Sequence, residues 1–234
     1  MILILLCAQA FCYAEQTAGD KLDSKAVAKE LQEKIAGVKS YTAEFRMDVR
    51  MGEQRSVIDG TIAYKTPGKV KMEMKTKSPK ELTQLTVSDG KTLCIYVPEN
   101  NVAYLYNLAK MSEEEKKALI SQSDLFHPLR DMDPQSISLQ GLSRTEGERA
   151  YLFEGKPTVL MRSQNKQAFN KMKIWVGQRD GLLRKVVIYD DKGRETLVQD
   201  YRNIKTNVFL SDTEFTFTPP EGTTINLPGE LKRF

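Results

Sequence analysis

Side chains able to do chemistry are few and far apart along these 234 residues. The single histidine, His127, lies between Phe126 and Pro128, and a Ser-His-Asp enzyme would need it as general base. No nucleophile-elbow sequence accompanies it, which leaves a structural histidine or a group that gates its own segment by protonation. Metal binding asks for His, Cys or carboxylates at ligand spacing. The densest acidic run, Glu113-Glu114-Glu115, follows Ser112, and this reads as a capping box whose negative charge complements a helix dipole. Asp190-Asp191 and Asp131-x-Asp133 look like turn residues, and Cys94, in an apolar strand, is a small hydrophobe before it is a reactive thiol. No acid, base and nucleophile come together, and the sequence asks for no metal and no cofactor. It argues for a binding protein over an enzyme.

Aliphatic and aromatic residues make up 40% of the chain and charged ones 28%, enough for a sizeable core. The formal charge of +4 comes from Lys and Arg spread along the whole length, so no nucleic-acid partner is expected. Residues 1–14, MILILLCAQAFCYA, are uncharged and join a short apolar core to small residues at Cys12 and Ala14, as a secretory signal peptide does, although no Lys or Arg precedes the core. They are too short to span a bilayer. Cleavage after Ala14 would leave 15–234 as one exported domain, a monomer, with Cys94 its one cysteine and no internal disulfide.

What the elements must position is therefore apolar surface. Residues 15–20 read as a polar lead-in, and Val27, Leu31, Ile35 and Val38 then recur at helical spacing, with Gly37 near the end. After Ser40 the period becomes two. Residues 41–51 put Tyr41, Ala43, Phe45, Met47, Val49 and Met51 on one face. Ile58, Gly60, Ile62 and Tyr64 continue that face in a second strand, and Val70, Met72 and Met74 in a third, past the turn Thr66-Pro67-Gly68. A loop at 77–80 and a strand over 82–87 lead into a hairpin over 87–108, with Tyr104 and Tyr106 placed to pair across to Ile95 and its neighbours. Helical signals at 112–122 and a helix or turn at 124–130 interrupt the strands, as a cap, lid or binding element would. Strands resume at 136–142, 150–154, 169–176, 182–189 and 194–203, with 156–168 an unplaced loop, and a last strand begins at Phe215 and stops at Pro219-Pro220. About eleven strands joined by hairpin turns predict one antiparallel sheet that curls around its helices.

Two motifs, V-S-D-G-K-T-L-x-x-Y-x-P at 87–98 and F-T-F-T-P-P-x-G at 215–222, resemble the LolA family of periplasmic outer-membrane lipoprotein carriers. The resemblance extends to the N-terminal helix, to G-x-I-x-Y-K-x-P-G at 60–68, to the central helical insertion and to the R-D-G turn, in the same order. It implies a mainly β fold with α, an incomplete antiparallel β-barrel closed by a helical lid over a hydrophobic cavity. It also implies that lipoprotein acyl chains are taken from an inner-membrane lipoprotein-releasing transporter and passed to an outer-membrane acceptor. Carried onto the strand pattern, the cavity lining falls on Phe45 and Met47, on Ile58, Ile62 and Tyr64, on Val70, Met72 and Met74, and on Leu93 and Ile95. Leu119, Leu125, Phe126 and Leu129 belong to the lid. Methionine suits such a wall because its unbranched thioether adapts to chains of variable shape.

The chain departs from the family pattern in two places. Thr66 stands where carriers of the family have an arginine that bonds the lid, so a latch of that kind is absent or relocated. Cys94 replaces a tryptophan. A carrier of another lipid or glycolipid, a lipoprotein-sensing regulator, and a filled β module that binds proteins at its edges are the alternatives. The cavity reading expects an inner face that its own side chains leave underfilled.

Overall fold

The computed structural model describes residues 23–76, 81–112, 115–116, 119, 124–159 and 169–228, with the backbone alone at Met51. The expected signal peptide at 1–14, the lead-in at 15–20, the loop at 77–80, most of the predicted helix at 112–122 and residues 160–168 lie outside them. A helix α1 (Ser24–Ala36) is followed by β1 (Ser40–Met51), β2 (Gln54–Lys65), β3 (Lys69–Thr76), β4 (Leu82–Asp89), β5 (Thr92–Val97) and β6 (Val102–Asn107). After the insertion come β7 (Ser138–Thr145), β8 (Glu148–Gly155), β9 (Phe169–Gly177), β10 (Leu183–Asp190), β11 (Glu195–Thr206) and β12 (Thr224–Asn226). All twelve form one open sheet in the order β12-β6-β5-β4-β3-β2-β1-β11-β10-β9-β8-β7. β1 and β11 pair across its middle, joining an N-terminal and a C-terminal meander.

The period-two alternation sets the register. Tyr41, Ala43, Phe45 and Met47 of β1 face Tyr64, Ile62, Gly60 and Ile58 of β2, which puts both apolar sets on one concave face. Gly60 is there for Phe45: a Cβ at Gly60 would lie 2.3 Å from that ring and from the Glu73 carbonyl oxygen. The C-terminal meander adds Phe153, Met172, Ile174 and Ile188 to the same core. Asp23 caps α1 by accepting from the Lys25 amide at 2.9 Å, and Val27 and Leu31 bury the helix stripe in this core. The helix lies against Gly181, where a Cβ would come within 2.7 Å of Ile35, and whose φ of +74° suits glycine.

Among the described residues the sheet has twelve strands, in keeping with the about eleven expected, and one expectation is corrected: 215–218 is not a strand. Residues 212–215 form a 3-10 turn opened by a capping box between Ser211 and Glu214, and the final strand, β12, comes after the prolines and runs parallel to β6. The alternation of Phe215 and Phe217 reflects another task. Phe215 is buried beside β3 and β4, and Phe217 covers a second apolar cluster on the convex side, made by Cys94, Tyr96 and Ala103 with Leu85 and Leu105. β5 is thus apolar on both faces, Leu93 on one and Cys94 on the other, because both faces are covered. Elsewhere the convex face carries paired charges such as Arg46 with Asp59 and Arg55 with Asp48.

Candidate functional site

Cross-strand rows build the concave face. One row runs Tyr41, Tyr64, Val70, Ser88, Leu93 and Tyr106, and the next runs Ala43, Ile62, Met72, Thr86, Ile95 and Tyr104. All ten predicted wall residues fall on this face by register. Phe45, Ile62, Met72 and Met74 are buried in the main cluster, with Ile58 and Tyr64 packed against it. Met47 is half-buried outside the cluster. Val70 and Leu93 are buried and Ile95 half-buried, again outside it. Leu93 and Ile95 lie across β4, which gives this face Gln84, Thr86 and Ser88, with Gln84 Nε2 donating to Thr86 Oγ1 at 3.0 Å. This polar seam was legible in Q-L-T-V-S once the register was fixed, and it divides the wall.

Residues 124–132 lie over the wider, apolar part of the face. Leu125 is fully buried in the main cluster, and Phe126 and Leu129 pack on it. Leu119 is helical and half-buried, but does not enter the cluster. Both main-chain groups of Leu125 are bonded: its N–H donates to the Tyr41 hydroxyl at 3.3 Å, and its carbonyl accepts from the Leu183 amide at 3.1 Å. That amide lies at the bulge in the pairing of β9 with β10. The Phe126 ring meets Tyr64 edge-on at 4.8 Å and Tyr41 at 5.2 Å, while the two tyrosines stack at 5.3 Å. Burial pushes the Tyr41 hydroxyl well above the usual tyrosine range, and raises Tyr201 for the same reason, so both are neutral acceptors or donors at physiological pH.

The Asp124 carboxylate knots the segment by accepting from the Phe126 amide at 2.9 Å and from Arg130 at 3.0 Å, with His127 Nδ1 at 2.7 Å. His127 is exposed and braces this turn, which fits the structural use of the residue. Farther on, Met132 bridges to Pro157, and the Asp133 and Thr158 amides bond to Lys156 and Asp131. Much of the described inner face is packed, with lid side chains doing part of the filling, while Met47 and Ile95 stay half-buried and Tyr104 exposed. Two hollows of about 390 and 290 Å³ are present: the lining of the first includes Lys34, Arg149 and Arg179, and the second reaches the core residues Tyr201 and Ile204 beside Glu146, Arg202 and Lys205. Among the described residues no group of His, Cys, Asp and Glu could hold a metal ion, and no helix is long and apolar enough to cross a membrane. Sequence reasoning missed Tyr41 as the lid's hydrogen-bond anchor. It also missed the contributions of Phe153, Met172, Ile174 and Ile188, although the alternation of 169–176 carried part of that signal.

A family model described as outer membrane lipoprotein carrier protein LolA matches residues 36–140. The outer-membrane lipoprotein carrier protein of Haemophilus influenzae is 30% identical over 201 residues, covering 85% of this chain and 86% of that protein. The chain belongs to the LolA family. The carrier of the same description from Dechloromonas aromatica is 26% identical over 195 residues, covering 82% of this chain and 84% of the other. An uncharacterized protein of Methanocaldococcus jannaschii is 24% identical over 217 residues, 90% of this chain, and the chain spans 56% of that longer protein. The LolA-family fold is also similar to the crystal structure of an uncharacterized conserved protein from Thermus thermophilus, with a TM-score of 0.58 at 12% identity over 87% of this chain and 98% of the other. LolA-family members are carriers and not enzymes, and family membership gives this chain a carrier-like role.

Proposed function

We propose that the protein is a non-enzymatic periplasmic carrier that holds lipoprotein acyl chains against its concave face and moves them from the inner to the outer membrane. One observation supports this most: a broad apolar wall whose cover, Leu125 and Phe126, consists of side chains that an acyl chain can replace. The wall residues are Phe45, Met47, Ile58, Ile62, Tyr64, Val70, Met72, Met74, Leu93 and Ile95, and the lid residues are Leu119, Leu125, Phe126 and Leu129. Lid withdrawal exposes the wall, and each methylene buried there contributes about 0.8 kcal/mol. A partly enclosed chain thus binds without polar partners, and it leaves when the lid returns or a better acceptor competes. The donor is an inner-membrane lipoprotein-releasing transporter and the recipient an outer-membrane acceptor, by analogy with the relatives described as lipoprotein carriers.

Displacement of a fluorescent fatty acid from the purified protein tests acyl binding, and saturable displacement is expected. Incubation with inner-membrane vesicles bearing a cognate lipoprotein then tests carriage, the expected result being lipoprotein in the soluble fraction. Absence of saturable binding would overturn the acyl site. Binding without lipoprotein release would leave a carrier of another lipid or glycolipid, or a lipoprotein sensor.

A further inference from the structure

Phe209 is the most exposed large hydrophobic residue described, with 93% of its surface open, yet its loop is firmly held. On the N-terminal side, Asn207 adopts a left-handed φ of 55°, donates its amide to the Ser40 carbonyl at 2.8 Å and accepts from the Lys39 amide through its side chain at 2.8 Å. Its Nδ2 reaches the Gly37 carbonyl at 3.2 Å, at the end of α1. The Val208 carbonyl accepts from Ser40 Oγ at 2.6 Å. On the other side Leu210 is buried, and its carbonyl accepts from Lys65 Nζ at 2.9 Å. Each neighbour of Phe209 in the chain is thus fastened to the sheet, and the ring between them points into solvent. An aromatic ring held out in this way is disfavoured in water, and ordering its loop on contact with a partner costs nothing further.

The surroundings indicate what the ring contacts. Lys205, next to the end of β11, is exposed, and the exposed Lys39 is tied to Asn207 through its amide. Lys65 and Lys69 lie beside Leu210 and share the single carboxylate of Asp212, at 2.7 and 2.8 Å, so one of their two charges is uncompensated. A protein interface needs a contiguous patch of about 800 Å² on each side, whereas here one ring stands among Asn207, Ser211 and lysines. A lone exposed aromatic on a loop fastened to strand ends that carry lysines suits the boundary between lipid headgroups and acyl chains under a negative surface potential.

We propose that the loop 207–210 docks the protein on an anionic lipid surface, with Phe209 inserting below the headgroups and Lys39, Lys65 and Lys205 reading their charge. This goes beyond acyl carriage and does not depend on it. The test is flotation of the full protein, free of acyl ligand, with phosphatidylcholine vesicles with or without phosphatidylglycerol. Binding is expected only with the anionic lipid. Phe209→Ala should weaken it about tenfold or more, and Lys39→Gln and Lys205→Gln about fivefold each. Phe209→Ala should leave the thermal midpoint unchanged, because the ring packs on nothing. Equal flotation by Phe209→Ala, equal binding to neutral vesicles, or a dimer in lipid-free solution that Phe209→Ala dissolves would each overturn the proposal. The fatty-acid displacement assay contains no membrane, so failure to float leaves its result standing.

Discussion

The sheet wears two covers, one on each face, and they are fastened differently. On the convex side, residues 211–226 are held by a capping box, by Lys65 and Lys69 on Asp212, by the Thr224 amide on the Asn101 carbonyl at 3.0 Å and by the β12 ladder along β6. Phe217 meets Tyr96 at 5.3 Å, and the Tyr96 hydroxyl bonds Asn101, which ties the cluster to the same anchor. On the concave side, residues 124–126 are held by two main-chain bonds at Leu125, by the Asp124 carboxylate on the Phe126 amide and Arg130, and by the contacts of the Phe126 ring with Tyr41 and Tyr64. The convex strap continues the sheet. In the proposed carrier, the concave lid occupies space that an acyl chain takes, and that proposal makes the strap a structural cover and the lid a working one.

The largest expected effect tests the strap. Phe215→Ala removes a fully buried ring and should cost about 3–5 kcal/mol, read as a lower urea midpoint, while fatty-acid affinity of the folded fraction stays the same. A change in affinity larger than the change in stability would break the comparison, since the strap would then sense the ligand. Leu125→Ala should cost about 2–3 kcal/mol, toward the low end for a buried leucine, because its segment can open locally. Its signature is spatial. Amide exchange should speed up over 124–132 and remain slow over 224–226, with fatty acid bound more tightly. Uniform loss of protection would make the lid as integral as the strap.

The sequence made the N-terminal meander legible because β1, β2 and β3 are apolar on one face only, and strict alternation fixes both strand and side. It misplaced the final strand because Phe215 and Phe217 alternate as strand residues do, while the pairing that decides the matter is a parallel contact with β6, distant in sequence. Of the site, the wall was readable in β1 to β3, less so in β5. Leu93 and Ile95 share the face but lie beyond Gln84, Thr86 and Ser88, and that seam becomes visible only when β4 is paired. The lid's anchor was hidden for the same reason: nothing in the types of Tyr41 and Leu125 announces a bond across 84 positions.

Tyr41→Phe sharpens the comparison by removing one atom. The ring and its stack with Tyr64 remain, but the Leu125 amide loses its acceptor in a buried place, a penalty of about 1–3 kcal/mol. Because the penalty falls on the closed lid, part of it returns when ligand displaces the lid. Fatty-acid affinity should therefore rise by up to about tenfold. A weaker complex would show that Tyr41 serves the ligand and not the lid.

The smallest effect belongs to the strap and depends on pH. Hydrogen bonds from Lys65 and then Lys69 lower the Asp212 carboxyl to about 2, against about 3.9 for an aspartate in an unfolded chain. A depressed folded value means that the unfolded state binds the proton first on acidification. The contribution is complete above about pH 4 and is lost as the pH falls through about 2. Asp212 is largely exposed, so solvent and salt screen the pair and the effect stays small. Comparing the urea midpoints of the native protein and Asp212→Asn across that range should give a constant gap above about pH 4 that closes toward pH 2, and a smaller gap in high salt. A gap that persists at the acid end would move the anchoring from the ion pairs to the capping box of Ser211 and Glu214, whose bonds use a different carboxylate.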